Sequence, residues 1–168
     1  MNRKLAAMLV ATSLVAVAGC TKKEKPQDLP PPPVTAEAPP PAPPPGPTPG
    51  SQADFLASVS ADRIFFDTDK FDVDAEDQAV LASQAEWLKR NPNVRVTIEG
   101  HADERGTRDY NIALGARRAN AAKNALAALG VDAGRVSTVS YGKERPEALG
   151  STEADWARNR RAVTVTVQ

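Results

Sequence analysis

The chain has 168 residues, its 21 Lys and Arg balance 21 Asp and Glu, and only 5% of it is aromatic. That balance excludes the basic field through which nucleic acid is bound, and the scarcity of rings excludes a stacking platform for single strands. Thirteen of the 15 prolines fall between Pro26 and Pro49, which separates an N-terminal stretch that cannot build a core from a globular part long enough to bury one.

At the N-terminus, Arg3 and Lys4 precede an apolar run from Leu5 to Ala18, followed by Gly19 and Cys20. The run is shorter than the roughly 20 residues a spanning helix needs, so residues 1–19 read as a signal peptide. Val17-Ala18-Gly19-Cys20 resembles a bacterial lipobox. Cys20, the single cysteine, is therefore expected to be the acylated first residue of the mature protein, and it excludes an internal disulfide. Several acyl chains, at about 0.8 kcal/mol per buried methylene, anchor a protein stably. Thr21 rather than Asp after the cysteine points, by lipoprotein sorting, to the outer membrane with the protein facing the periplasm. Residues 20–53 form a linker: the charged TKKEK, then a proline-rich segment whose polyproline II preference makes it an extended spacer, about 3.1 Å per residue.

The domain is expected over 54–168, where 16 basic and 18 acidic residues nearly cancel. Ser51 to Ala61 reads as a polar lead-in, with Phe55, Leu56 and Val59 able to pack on the domain's edge. A first strand is predicted from Arg63 to Phe66. Seven acids then cluster between Asp62 and Asp77, of which Asp74 suits a helix N-cap and Glu76 and Asp77 a first turn. An EF-hand is a poor fit, since FDTDKFDVDAED lacks the Gly and Glu that loop requires. Val80, Leu81, Ala85 and Leu88 recur at helical spacing from Ala75 to Lys89, and Asn91-Pro92 stops them. Val94 to Ile98 alternates as a strand with one wet side.

A long Ala-rich helix ending before Gly130 follows, with Leu114, Ala121, Ala122, Ala125, Leu126 and Leu129 inward. Val136 to Tyr141 makes a third strand. Thr152 to Asp155 suggests a capping box for a short helix carrying Trp156. In the last strand Val163, Val165 and Val167 face one way, Thr164 and Thr166 the other. Four strands with helices on one face make a two-layer α+β sandwich.

The segment GHADERGTRDYNIALGARRA, from Gly100 to Ala119, places a turn and a helix N-terminus where a strand stops, which is favourable for small anions. Asp103 lies in the turn, and Asn111 and Arg118 share one helix face seven residues apart. A carboxylate and a guanidinium in one cleft suit a zwitterion, its ammonium on Asp103 and its carboxylate on Arg118. The competing arrangement is an ion pair between the two. His101, the only histidine, lacks the companions that a zinc site or an acid–base constellation needs.

These residues, GHAD, the Gly106 loop, YN and L-G-x-x-R-A, resemble the OmpA-like peptidoglycan-binding domain family over about residues 60 to 167, and within it the peptidoglycan-associated lipoproteins. Ala102 replaces the more usual Thr and leaves Asp103, Asn111 and Arg118 in register. The resemblance implies a mixed four-stranded sheet of βαβαβ type and no cofactor or catalysis. It also implies that the zwitterion is the free end of diaminopimelate in the wall peptide. By the same resemblance Phe66, Asp67, Gly100, His101, Leu114 and Arg160 join Asp103, Asn111 and Arg118 as ligand contacts, with Arg161 an open alternative to Arg160. The implied partners are peptidoglycan, the outer membrane through Cys20, and the Tol proteins, chiefly TolB. A scaffold lipoprotein that no longer binds wall, and a wall hydrolase, are the alternative readings.

Overall fold

The computed structural model describes residues 46–167; the signal sequence, Cys20 and the proline-rich segment up to Pro45 lie outside the described residues. The elements are α1 (Gln52–Ser58), β1 (Arg63–Phe65), α2 (Ala75–Arg90), β2 (Arg95–His101), α3 (Arg108–Ala128), β3 (Val136–Gly142), α4 (Glu153–Asn159) and β4 (Arg161–Val167), with a 3₁₀ turn at Ala133–Arg135. The sheet order is β1-β4-β2-β3. β4 pairs antiparallel with both β1 and β2, whereas β2 and β3 are parallel, joined by the α3 crossover. This is the expected mixed α+β sandwich.

The helix starts follow local capping chemistry. Asp74 accepts from the Asp77 amide at 2.8 Å, and Thr107 caps α3 by accepting from Tyr110. Thr152 and Asp155 form a capping box on α4. Within the Ser51 to Ala61 lead-in, Gln52–Ser58 forms an ordered helix, and the boundary expected at residue 54 falls inside it. Asp54 holds it in place by accepting from the Gly50 amide at 2.9 Å and the Trp87 indole at 3.2 Å. Phe55 then meets the Trp87 ring edge-on, with 5.0 Å between centroids. β1 runs to Phe65, one residue short of the prediction, and the Phe66 amide continues the pairing with β4 by donating to the Arg160 carbonyl at 2.9 Å.

Ile64, Val96, Ile98 and Ala162 from the sheet, Leu81 and Leu88 from α2, and Ala119, Ala122 and Leu126 from α3 make one core. Leu129, expected inward, is exposed because it is the C-cap, past the last turn that faces the sheet. In β4 the threonines, not the valines, face the helices. Thr164 stands opposite Ile98, and its hydroxyl donates to Gln84 Oε1 at 2.8 Å, while Gln84 Nε2 donates to the Ala61 carbonyl. A buried glutamine on α2 is thereby satisfied from both sides. Val163 and Val165 lie on the sheet's other face with Glu99 and Arg161.

The close seat of α3 on the sheet depends on two glycines. Gly100 in β2 and Gly115 in α3 meet backbone to backbone, and a Cβ on Gly100 would collide with the Gly115 carbonyl.

Candidate functional site

The β1–α2 loop, the β2–α3 loop and α4 converge at the C-terminal end of β2, over the first turns of α3. Gly106 turns the second loop at φ 84°, and Asn111 ties it to the helix by donating to the Arg105 carbonyl at 2.7 Å. Between the loops lies a pocket of about 300 Å³ whose walls include Asp69, Asp103, Arg105, Tyr110, Asn111 and Arg118. Tyr110, Leu114 and Arg118 all line it, as one stripe of α3 at four-residue spacing. A neighbouring hollow of about 460 Å³ is lined by Phe66, Asp67 and Arg160 among others.

Arg118 is fully buried and makes no ion pair with Asp103. Its Nε donates to the Lys70 carbonyl at 2.9 Å, Nη1 to the His101 carbonyl at 2.8 Å, and Nη2 to the Asp67 carbonyl at 3.1 Å. Its guanidinium also lies over the Phe66 ring, 5.2 Å from the centroid. A guanidinium carries five N–H bonds, so these carbonyls leave two uncommitted, on a residue that lines the pocket. Burial, reinforced by the positive charge of Arg160, pushes Arg118 down to about 10, still cationic at neutral pH.

Asp103 is 7% exposed and is held by two other arginines. Arg105 reaches it with Nη2 at 2.7 Å and Nε at 3.1 Å, and Arg160 Nη1 stands 3.5 Å away. Burial pushes the Asp103 carboxyl up, but the hydrogen bonds from the Arg105 side chain and amide outweigh it and hold the group below its ordinary value. Arg160, not Arg161, therefore belongs to this site. Its Nε donates to the Phe66 carbonyl at 2.9 Å and its Nη2 pairs with Glu153 at 2.9 Å. Arg161 points to the other face of the sheet and pairs with Glu147 at 3.2 Å.

Three of the expected contact residues are placed differently. Gly100 lies under Gly115, where the helix backbone covers it. His101 offers the pocket region only its carbonyl. Strand alternation turns its ring to the opposite face, against Tyr141 at 5.6 Å between centroids. Asp67 likewise contributes a carbonyl to Arg118, while its side chain is exposed and paired with Lys70 at 3.0 Å.

Both His101 nitrogens are buried without a close hydrogen bond, and Glu99 Oε2 stands 3.8 Å from Nε2. Burial, with the charge of Arg161 adding to it, pushes the imidazole from 6.5 down to about 4. A depressed value means that stability is full above the unfolded-state value and is lost as the pH falls through the folded one. A shift of this size corresponds to about 3 kcal/mol. Asp77, pushed up to about 6 by burial, has the opposite sign: its contribution is full at low pH and lost as the pH rises. Comparison with His101→Gln isolates the histidine. Between about pH 7 and pH 4 the native protein should lose about 2 to 3 kcal/mol more than the variant in chemical unfolding, and equal losses would show that the ring is not held neutral.

Thr68, Asp69, Arg105 and Tyr110 were not expected at the site. Asp69 has φ 57° and accepts from the Tyr110 hydroxyl at 3.1 Å. Left-handed backbone at a pocket wall is a conformation Asp tolerates better than most residues. Tyr110 could have been found from its i, i+4, i+8 spacing with Leu114 and Arg118. Nothing in the local sequence marks Thr68. Among the described residues no cluster of His, Cys, Asp and Glu is arranged to hold a metal ion.

The sequence profile of the OmpA family matches residues 65–160. The peptidoglycan-associated lipoprotein of Agrobacterium fabrum is 58% identical over 118 residues, covering 70% of this chain and 66% of the relative. That of Rhizobium meliloti is 50% identical over 159 residues, covering 94% and 85%. Among solved structures, the peptidoglycan-associated lipoprotein from Burkholderia pseudomallei superposes with a TM-score of 0.62 at 45% identity, covering 67% of this chain and 93% of that one.

Proposed function

The chain belongs to the OmpA family, and from that membership we propose that its pocket binds peptidoglycan without covalent chemistry by holding the zwitterionic end of a diaminopimelate side chain. The ammonium goes to Asp103 and the carboxylate to the two free N–H bonds of Arg118. The observation that carries this reading is that an anion and a cation share one pocket without neutralising each other. Arg118 is already oriented by three carbonyls, so little ordering is left for binding to do. Asn111 and Leu114 line the same pocket, and Phe66, Asp67 and Arg160 line the adjoining hollow along which the rest of the peptide would run.

With Cys20 acylated, the protein would sit in the outer membrane facing the periplasm, with the proline-rich linker giving the domain reach to the wall. Weak reversible attachments shared among many copies suffice for a tether. The relatives' name, peptidoglycan-associated lipoprotein, supports this placement. A second attachment to the Tol proteins, chiefly TolB, would link the tether to envelope integrity and cell division. The module binds and carries out no reaction.

Purified protein should co-sediment with sacculi and be released by excess free meso-diaminopimelate. Asp103→Asn should weaken the interaction at least about tenfold, because the ligand ammonium then meets no charge in a partly desolvated pocket. Sedimentation that diaminopimelate leaves unchanged would overturn the assignment of the ligand.

A further inference from the structure

We propose that Arg105 is a tethered competitor for the ligand's ammonium: its guanidinium occupies Asp103 in the free protein and must leave before a wall peptide can bind. The inference rests on the peptidoglycan reading above and adds to it a residue that lowers the affinity. Asp103 faces two guanidiniums, Arg105 at 2.7 Å and Arg160 at 3.5 Å. One carboxylate between two cations has no unmet charge to offer a third, so an ammonium can bind only by exchange.

The two arginines differ in which can yield. Arg160 is buried, and its Nε is bonded to the Phe66 carbonyl at 2.9 Å and its Nη2 to Glu153 at 2.9 Å. The Arg105 side chain is 38% exposed and starts from a loop. It also has somewhere to go. Its guanidinium lies 4.2 Å from the centroid of the Trp156 ring, and Nη1 is 3.8 Å from Glu153. A short swing takes it off Asp103 and the Thr68 hydroxyl, 3.3 Å away, while the ring and Glu153 keep it. The Arg105 amide, bonded to Asp103 Oδ1 at 3.1 Å, still orients the carboxylate after the side chain has left.

Exchange has a consequence for selectivity. A lone ammonium replaces one cation by another and gains little. A zwitterion also gains Arg118, which makes the carboxylate end the source of net affinity. The binding-competent population is the fraction with Arg105 displaced, and the apparent affinity is lowered by that fraction.

The test is calorimetric titration of the purified protein, Arg105→Ala and Arg105→Gln with a diaminopimelate-containing muropeptide, with tryptophan fluorescence followed in parallel. Both variants should bind about three- to tenfold more tightly, the range set by a partly exposed ion pair. Emission from Trp156 should change on binding in the native protein, as the stacked guanidinium moves, and stay constant in Arg105→Ala. Weaker binding by both variants would mean that Arg105 contacts the ligand, and unchanged binding would mean that it does not compete. Either result overturns the inference while leaving the wall-binding reading intact, provided that Asp103→Asn still loses the ligand. No binding by any of these proteins would overturn both.

Discussion

Arg118→Ala is expected to lower stability by about 3 to 5 kcal/mol and abolish muropeptide binding together, because this side chain is at once the floor of the pocket and the fastening of its loops. Its three hydrogen bonds end on carbonyls of Lys70 and Asp67 in the β1–α2 loop and of His101 at the end of β2. Bonds from a charged donor are worth about 1.5 to 3 kcal/mol each, and unpaired buried acceptors carry their own desolvation penalty. Part of the sum is offset, since the buried charge that pushes Arg118 down to about 10 is removed with it. For a domain of this size the net loss corresponds to a fall in Tm on the order of 10 to 20 °C. Arg118→Lys should recover only part of the loss, because an ammonium on a flexible stem cannot satisfy three carbonyls in the plane that a guanidinium does. Arg117→Ala, on the exposed face one residue away, is the control and should melt like the native protein. Native-like melting of Arg118→Ala would show that the loops are held by something else.

Gly100→Ala is the second large effect, and it acts without any contact to ligand. The added methyl would run into the carbonyl of Gly115 and lie 3.2 Å from the Ala119 methyl. Neither side can give easily. β2 is paired on both edges by β3 and β4, and the obstacle on α3 is backbone rather than the end of a flexible side chain. Gly115 is confined in turn, since a Cβ there would meet the Ser140 hydroxyl and the Gly100 carbonyl. Lifting the helix is the remaining response, and it would carry Asn111, Leu114 and Arg118 away from Asp103. We expect a cost of about 3 kcal/mol or more, at the upper end of overpacking effects, visible as a lower denaturation midpoint and weaker wall binding. Gly46→Ala, where a Cβ would meet nothing within 4 Å, should change neither. A Gly100→Ala protein of native stability would show that the helix sits further from the sheet than its glycines imply.

Much of the architecture was legible in the residues because it is local. Asp74 and Thr152 announce their helices through side chains that reach amides three residues on. The spacing of Asn111 and Arg118 places both on one face of α3 whatever surrounds it. The motif from Gly100 to Ala119 identified the family for the same reason, being one continuous stretch of chain. What periodicity could not decide was which strand face the helices cover. The valines of β4 are the more apolar set, yet the threonines face inward, because Gln84 on α2 supplies a partner for Thr164 and the register with β2 puts Thr164 beside Ile98.

The site shows the same division more sharply. Charge type and helical spacing were enough to nominate Asp103 and Arg118, and left open whether they pair with each other. For Arg118 that choice was made by residues distant in sequence, carbonyls 48 and 51 residues away, whereas Asp103 is met by Arg105 two residues on and by Arg160 across the β4 entry. These partners are largely backbone groups, which every residue carries, so the sequence does not mark them. Only the order β1-β4-β2-β3 brings the loop after β1 and the start of β4 together beside the end of β2. The chain by itself thus determined the elements, the motif and the two charges, through interactions within a few residues. Tertiary structure decided their distant partners, the Lys70 and Asp67 carbonyls for Arg118 and Arg160 for Asp103, because a buried charge takes whichever dipoles and countercharges the fold brings within reach of it.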